Sequence, residues 1–242
     1  MKFITLGTAS GFPVKNRGCE ANLLEVNGSV YFFDAGKNIS EAIVNLDYEY
    51  SDIKAVFITH PHRDHIASLG ELVDLSCWRY KDMAFKIFVP SIECVNLVTY
   101  LCNDFAGGEK IDKNRISFTV YTAGVIYQDE NIKVTAFPNT HMHDSHSFLV
   151  EAEGKRLFIT GDLDKDMASL SDEATKKEND FLLVECAHFS EEVVLKVFPT
   201  LNAKRVVITH VGRQVPITKL AQWIEEGKLK MELAEDYQEF II

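Results

Sequence analysis

The chain has 242 residues, 46% of them hydrophobic, and its 36 acidic and 25 basic side chains leave a formal net charge of −11. This length and apolar content can fill one sizeable core, so we expect a single domain over residues 1–242. The negative charge repels polyanions at long range, and no long nucleic acid is expected as a partner. No apolar run is long enough to cross a bilayer, so we expect no membrane partner.

The cysteines indicate a reducing compartment. The five of them are scattered along the chain without a Cys-x-x-Cys pair, which is typical of reduced thiols rather than of a disulfide framework. The N-terminal residues 1–7 have the composition of a short strand and not of a secretory signal. A cytoplasmic location follows as the expectation.

Strands and helices alternate in the N-terminal half. β-Branched and aromatic runs between glycines predict strands, apolar residues at helical spacing predict helices, and Asn27-Gly28 predicts a hairpin turn. The predicted strands are 2–6, 21–26, 30–34 and 86–89, and the predicted helices are 39–47, 66–80 and 91–105, with a Gly107-Gly108 loop after the last.

The C-terminal half repeats this order. Its predicted strands are 115–121, 131–137, 146–152, 155–160, 181–185 and 204–209, its helices lie near 190–198 and 216–226, and a strand within 231–242 closes the chain. Periodicity alone predicts only an α/β fold. On the helix 66–80, the apolar residues Leu72, Leu75 and Trp78 are candidates for a homodimer face, although core packing explains them equally well.

Four ligand-type side chains lie within six residues, directly after an apolar run. They are His60, His62, Asp64 and His65. A polar helix start capped by Thr59 is the alternative interpretation, but three histidines placed so closely are costly to desolvate without a metal ion. Imidazole and carboxylate suit zinc, manganese or iron, and further ligands must come from later in the chain.

Four more polar residues follow apolar runs, and they are Asp34, His141, Asp162 and His210. Ligand sites in layered α/β proteins collect at strand ends, so we expect these side chains to converge on the histidine cluster. Taken alone, Asp162 after Gly161 and His210 after Thr209 are weak signals, because a Gly-Asp dipeptide is usually a turn. Their order behind the histidine cluster makes them candidate ligands. Asp34 precedes the cluster at the end of an apolar run, and a plain turn is its alternative interpretation.

This order of motifs, His-x-His-x-Asp-His, a later His, Gly-Asp and Thr-His, resembles the metallo-β-lactamase superfamily of binuclear metallohydrolases over the whole chain. The resemblance implies an αββα four-layer sandwich and two divalent ions, zinc first, with manganese and iron as alternatives. It implies that Asp34 hydrogen-bonds ligand groups and fixes their orientation. The implied ligands are His60, His62 and His141 for one ion, Asp64, His65 and His210 for the other, and Asp162 as the bridge.

The segment around His141 resembles the ribonuclease Z branch of that superfamily, in which a Pro-x-x-His ligand precedes a Ser-x-Gly-Tyr segment. Here the chain has Pro138-Asn-Thr-His141 and Ser145-His-Ser-Phe148. His143 would replace His141 only with a shift of register. His146 is expected on the following strand, as a packing residue or a neighbour of the ligands.

The opening segment is similar to the Gly-Thr-Gly turn and Pro-x-Lys-x-Arg-Asn loop of the same branch, with Gly18 where asparagine is expected. In that resemblance Lys15 and Arg17 are substrate-binding cations placed beside the metals. A solvated basic turn is the alternative.

Two departures from the branch concern its substrate and its proton donor. Only twenty residues separate His141 from Asp162, so the arm that grips tRNA in that branch does not fit. The His-Glu-Ala-Thr segment is replaced by Val184-Glu185-Cys186-Ala187-His188. His188 is the candidate proton donor with Glu185 as its partner, and a structural role for His188 is the alternative.

The resemblance therefore implies a phosphodiesterase in which two ions lower the pKa of a water, making a hydroxide for in-line attack. Asp64 would also hold or accept the proton of that water, and Lys15 and Arg17 would offset charge in the transition state. The acidic charge and missing arm favour small or short nucleotide-type phosphodiesters, such as cyclic nucleotides, as substrates. The alternatives are a carboxylic-ester, lactone or thioester hydrolase, a tRNA 3′-processing endonuclease, and a non-catalytic metal-binding module.

Overall fold

A computed structural model describes residues 1–105 and 110–242, so the predicted Gly107-Gly108 loop lies outside the described residues. Most of the chain's regular structure is β. The strands are β1 (Lys2–Gly7), β2 (Ala21–Val26), β3 (Ser29–Ala35), β4 (Ile53–Phe57), β5 (Phe85–Val89), β6 (Ile116–Val120), β7 (Gly124–Gln128), β8 (Ile132–Pro138), β9 (His146–Ala152), β10 (Lys155–Ile159), β11 (Asn179–Cys186), β12 (Ala203–Val211), β13 (Glu232–Leu233) and β14 (Gln238–Ile241).

The helices are short and lie between the strands. They are α1 (Ile39–Asn45), α2 (Arg63–Ile66), α3 (Leu69–Trp78), α4 (Ile92–Thr99), α5 (Asp172–Thr175), α6 (Glu191–Val197) and α7 (Ile217–Glu225). A π-helical turn at Tyr100–Phe105 continues α4. Within the described ranges, no helix is both long and apolar enough to span a membrane.

Two sheets of seven strands form the centre of the molecule. Their strand orders are β14-β1-β2-β3-β4-β5-β6 and β13-β12-β11-β10-β9-β8-β7. Buried aromatic residues from both sheets pack between them, including Phe3, Phe57, Phe148 and Phe181. Apolar residues of α1, α3 and α4 cover the outer face of the first sheet, and those of α6 and α7 cover the second. The predicted αββα sandwich is confirmed.

The structure differs from the sequence predictions at several elements. The predicted helix 66–80 is two helices, α2 and α3, because the chain turns between them. Strand β7 was not predicted, since it is an edge strand whose side chains are mostly exposed and carry little alternation. The closing strand predicted within 231–242 divides into β13 and β14, which pair with β12 and β1 and so join both sheets.

The proposed dimer face on α3 is only partly exposed. Leu72 is buried in the core beneath the first sheet, and Leu75 is half-buried, while Trp78 is 56% exposed. Core packing therefore accounts for Leu72. A homodimer through this helix stays a prediction.

The core positions the end of β4, where the histidine cluster begins. The fully buried ring of Phe57 stacks on Phe33 and on Phe88, with ring centroids 5.1 Å apart in each pair. Rings from neighbouring strands thus fix β4 against β3 and β5 immediately before the site residues.

We expect Phe57→Ala to lower the free energy of unfolding by about 3–5 kcal/mol, because it leaves a cavity among packed rings. Urea unfolding of the metal-free protein, followed by circular dichroism, measures this change. Phe12→Ala is the matched control, since Phe12 is 47% exposed, and its cost should stay below about 1 kcal/mol. Equal destabilisation by the two changes would contradict the packing argument.

Candidate metal centre

The carboxylate of Asp34, at the end of β3, holds the beginning of the histidine cluster. Its Oδ1 accepts a hydrogen bond from the backbone N–H of Thr59 at 2.7 Å, and its Oδ2 accepts one from the Thr59 hydroxyl at 2.8 Å. Oδ2 also lies 2.8 Å from Nδ1 of His65. Because a carboxylate accepts, His65 donates through Nδ1 and turns Nε2 towards the centre.

The first group of candidate ligands consists of His60, His62, His141 and Asp162, whose ligand atoms lie within 4.8 Å of one another. His60 and His62 follow β4, and His141 follows β8 on the other sheet. Nε2 of His60 is 3.0 Å from Nδ1 of His62, and Nε2 of His141 is 3.3 Å from the same atom. Three imidazoles therefore converge from both sheets.

The second group consists of Asp64, His65 and His210, whose ligand atoms also lie within 4.8 Å of one another. Helix α2 carries Asp64 and His65 on adjacent positions, and His210 lies near the end of β12. Nε2 of His210 is 3.2 Å from Oδ2 of Asp64 and 3.1 Å from Nε2 of His65. This grouping corresponds to the one implied by the family resemblance.

Asp162, a member of the first group, is directed by the turn after β10 and also lies close to the second group; with His188 and His210 it makes a third such group. Its Oδ2 is 3.5 Å from Nε2 of His60, while its Oδ1 is 3.4 Å from Nε2 of His65 and 3.4 Å from Nδ1 of His210. The preceding Gly161 has a φ of +58°, a conformation that costs glycine little. One carboxylate thus lies close to histidines of both groups.

The electrostatics of the metal-free chain follow from burial and from mutual attraction. Burial by itself would raise the pKa of Asp162, but His210 and His65 hold it well below its usual range. Burial opposes a high pKa at His210, yet Asp162 and Asp64 raise the pKa of His210 to about 9. Burial likewise opposes a high pKa at His65, yet Asp162 and Asp34 hold the pKa of His65 well above its usual value. Imidazolium groups therefore offset the buried carboxylates when no cation is bound.

The donor set fits divalent metal ions. Among the described residues, Asp162 Oδ1 and His210 Nδ1 are buried without a hydrogen-bond partner. Burying such polar atoms is costly unless a bound group, such as a metal ion, interacts with them. Imidazole nitrogens and carboxylate oxygens are donors that zinc, manganese and iron accept. The clusters can therefore bind metal, and the number and identity of the ions belong to the proposal below.

His188 stands at the open edge of the cluster with Glu185 behind it. Its Nδ1 is 2.8 Å from Oε1 of Glu185, and its Nε2 is 3.9 Å from Oδ2 of Asp162. Glu185 is buried, and it also accepts hydrogen bonds from the backbone N–H groups of Leu163 and Ala187. Burial lowers the pKa of His188, but the hydrogen bond to Glu185 outweighs it and raises the pKa above its usual value.

The neighbouring histidines of His141 lie outside the cluster. His143 is 92% exposed and pairs with Asp144. His146 begins β9 and packs its ring against Tyr121, 4.9 Å between ring centroids. His141 is thus the histidine of this segment that faces the other ligands.

The two predicted substrate cations have different surroundings. Lys15 is exposed at a turn closed by reciprocal backbone hydrogen bonds between Val14 and Arg17. Arg17 is half-buried, and its Nη1 donates to the hydroxyl of Thr8 at 2.8 Å and to the carbonyl of Ala234 at 2.7 Å. Arg17 therefore ties the opening loop to the C-terminal segment, and substrate binding by Lys15 and Arg17 stays a prediction.

Sequence reasoning missed Glu20, which is buried beneath the second group. Its Oε2 accepts a hydrogen bond from the Thr209 hydroxyl at 3.0 Å, next to His210, and its Oε1 accepts one from Asn22. Burial raises the pKa of Glu20 to about 7, although His210 opposes the shift. The sequence signal for Glu20 is a charged residue directly next to an apolar strand, β2. The same kind of signal made Asp34 a candidate.

Comparisons with known proteins agree with this geometry. Residues 1–215 match the family described as Anti-Pycsar protein Apyc1. The ribonuclease Z of Methanocaldococcus jannaschii is 29% identical over 152 residues, which cover 62% of this chain and 47% of that protein. The ribonuclease Z of Shouchella clausii is 27% identical over 158 residues, 64% of this chain and 49% of the relative. The chain thus spans about half the length of these curated relatives.

Solved structures show the same fold. The short form of human tRNase Z aligns with a TM-score of 0.75 at 21% identity, covering 100% of this chain and 99% of that one. The metallo-β-lactamase fold protein YhfI from Bacillus subtilis aligns with a TM-score of 0.78 at 16% identity, covering 99% of each chain. The motifs, the fold and the family match lead to one conclusion: this chain belongs to the Anti-Pycsar protein Apyc1 family, in the ribonuclease Z-like branch of the metallo-β-lactamase superfamily.

Proposed function

We propose that this protein is a binuclear metal-dependent phosphodiesterase that acts on small or short nucleotide-type phosphodiesters. The observation that carries the proposal is the position of Asp162, whose two oxygens face two separate groups of ligand-type side chains. Such a carboxylate suits a pair of ions a few ångströms apart, the arrangement used for in-line displacement at phosphorus.

We propose two divalent ions, zinc first, with manganese and iron as alternatives. When bound, they would polarise the phosphoryl oxygen and lower the pKa of an attacking water. His60, His62 and His141 would hold one ion and Asp64, His65 and His210 the other, with Asp162 shared. Asp34 would keep Thr59 and His65 in place.

Asp64, one of the proposed ligands, and His188, which lies beside them, would carry out the proton transfers. Asp64 would accept the proton of the attacking water, and the new P–O bond would form as the ester P–O bond opposite it breaks. The departing alkoxide would take a proton from Nε2 of His188. Glu185, at 2.8 Å from Nδ1, would stabilise the imidazolium before that transfer and orient the ring.

The net charge and the segment between His141 and Asp162 both favour a small substrate. That segment is taken up by the antiparallel pair β9 and β10, where the tRNA-gripping arm of the ribonuclease Z branch would have to emerge. The net charge of −11 also opposes a polyanion. Cyclic nucleotides and short oligonucleotides therefore suit the site better than folded tRNA.

One observation favours a second candidate, a carboxylic-ester, lactone or thioester hydrolase. Arg17 uses its Nη1 within the protein, which leaves fewer cations to compensate a phosphodiester. An assay with bis(p-nitrophenyl) phosphate, p-nitrophenyl acetate and a lactone distinguishes the two. Hydrolysis of none of them by the metal-loaded protein would favour a non-catalytic metal-binding module.

Asp162→Asn should remove one or both ions and lower kcat/KM for bis(p-nitrophenyl) phosphate by at least about a hundredfold. Loss of a residue that only hydrogen-bonds a metal ligand costs up to about a hundredfold, and loss of a ligand should cost at least as much. Metal analysis of the purified variant and steady-state kinetics measure both effects. Asp166→Asn, an exposed carboxylate of the following loop, is the control and should keep both ions. Full activity of Asp162→Asn would refute the binuclear assignment.

Metal affinity should rise with pH. His210, whose pKa is about 9 in the metal-free chain, is protonated at neutral pH and must release a proton to bind an ion. Each released proton changes the apparent affinity about tenfold per pH unit below that pKa. Competition with a chelator at several pH values between about 6 and 9 measures this slope. A flat profile, after correction for the chelator's own protonation, would contradict the argument.

His188→Ala should lower kcat by on the order of a hundredfold for an alkyl phosphodiester with a poor leaving group, because the alkoxide then lacks its acid. Bis(p-nitrophenyl) phosphate should lose much less, since p-nitrophenolate leaves without protonation. His143→Ala is the matched control, because His143 is exposed. Equal losses for both leaving groups would assign His188 a structural role instead.

A further inference from the structure

An exposed aromatic side chain stands on the loop that borders the candidate metal centre. The loop is attached to ligand-bearing segments at two points. The backbone N–H of Val211, next to His210, donates to the carbonyl of Thr8 at 3.1 Å, and the guanidinium of Arg63, between His62 and Asp64, donates to the carbonyl of Gly11. Phe12 directly follows this second attachment.

Phe12 is held but not buried. The guanidinium of Arg213 lies over its ring, 4.7 Å from the centroid, while 47% of the residue stays exposed. Arg213 is three residues after His210, so the cation that supports the ring belongs to the segment that carries a ligand. A single exposed phenylalanine is ordinary, but one fixed by a cation beside a hydrolytic centre has a restricted position that a ligand can use.

We propose that Phe12 is the stacking platform for the base of a nucleotide substrate, and that Arg213 positions it. This proposal rests on the proposed phosphodiesterase function. It concerns the base of the substrate, which the metal-ligating residues would not contact. Aromatic side chains bind nucleobases by stacking, and arginine adds a cation–π contribution. The occupant is a nucleobase joined to a phosphodiester.

Charge complementarity favours such an occupant. Arg63, Arg213 and Lys15 are exposed cations on or beside this loop, in a protein with a net charge of −11. Together with the Phe12 ring, these cations form a small basic and aromatic surface beside the candidate metal centre. An anion with a planar aromatic group matches this surface, whereas an aliphatic ester or a lactone would leave its cations unused.

The platform predicts recognition of a base without selection of a particular base. Every nucleobase has a π face, and stacking therefore tolerates base identity. Phe12 should distinguish base-bearing from base-free phosphodiesters. Its contribution should lie in substrate binding and not in the chemical step, because a phenyl ring can neither transfer a proton nor ligate a metal ion.

The test uses the metal-loaded protein and two substrates, a cyclic nucleotide and the same cyclic ribose phosphate without a base. Phe12→Ala should raise KM for the cyclic nucleotide by about tenfold, within the range known for loss of a stacked base, and leave kcat within about twofold. KM for the base-free substrate should not change. Phe12→Trp should restore the wild-type KM, and Val14→Ala, which alters the neighbouring exposed apolar residue of the loop, is the matched control.

A KM for the cyclic nucleotide that Phe12→Ala leaves unchanged, or an equal rise for both substrates, would overturn the platform while the phosphodiesterase function stands. If the wild-type protein hydrolyses neither substrate, the proposed function fails, and calorimetry still decides the platform. A nucleoside monophosphate should then bind more tightly than ribose phosphate, and Phe12→Ala should remove the difference. Equal binding of the two ligands by the wild-type protein would refute the platform.

Discussion

The hydrogen bonds of the buried Asp34 carboxylate are the constraint on which the candidate centre depends. They join the end of β3 to Thr59 after β4 and to His65 on α2. An unpaired buried carboxylate is very costly, so these three groups stabilise one another in a single arrangement. That arrangement fixes the direction of the chain through the histidine cluster, and it selects the nitrogen that His65 presents to the centre.

The rest of the centre is assembled where the ends of the two sheets meet. One sheet supplies His60, His62, Asp64 and His65, and the other supplies His141, Asp162 and His210. Neither half contains a complete ligand set, so the aromatic core between the sheets sets the distances within the centre. The positive φ values of Asp34 and His210, +62° and +48°, are consistent with a backbone held in a costly conformation at a functional site.

The same ligand geometry serves several hydrolytic reactions, so selection among substrates depends on the residues that surround it. Here these are the His188–Glu185 pair at the open edge and the loop bearing Phe12, which Arg63 and Arg213 hold beside the ligands. Under the two proposals, the His188–Glu185 pair would protonate the leaving group, and the loop with Phe12 would bind the base that the phosphodiester carries. Both lie beside a centre whose candidate ligands are buried or half-buried, except for the exposed His62.

Local sequence patterns were enough to predict the α/β class, most strands and the candidate ligands. These follow from local patterns, because a strand's composition and a polar residue at its end can be read within a few positions. The edge strand β7, the division of the closing segment into β13 and β14, and the place of Arg17 depended on the tertiary structure. So did the burial of Glu20 under Thr209 and the contact between Phe12 and Arg213. Each depends on residues far apart in sequence, and only packing of the two sheets brings their side chains within contact distance.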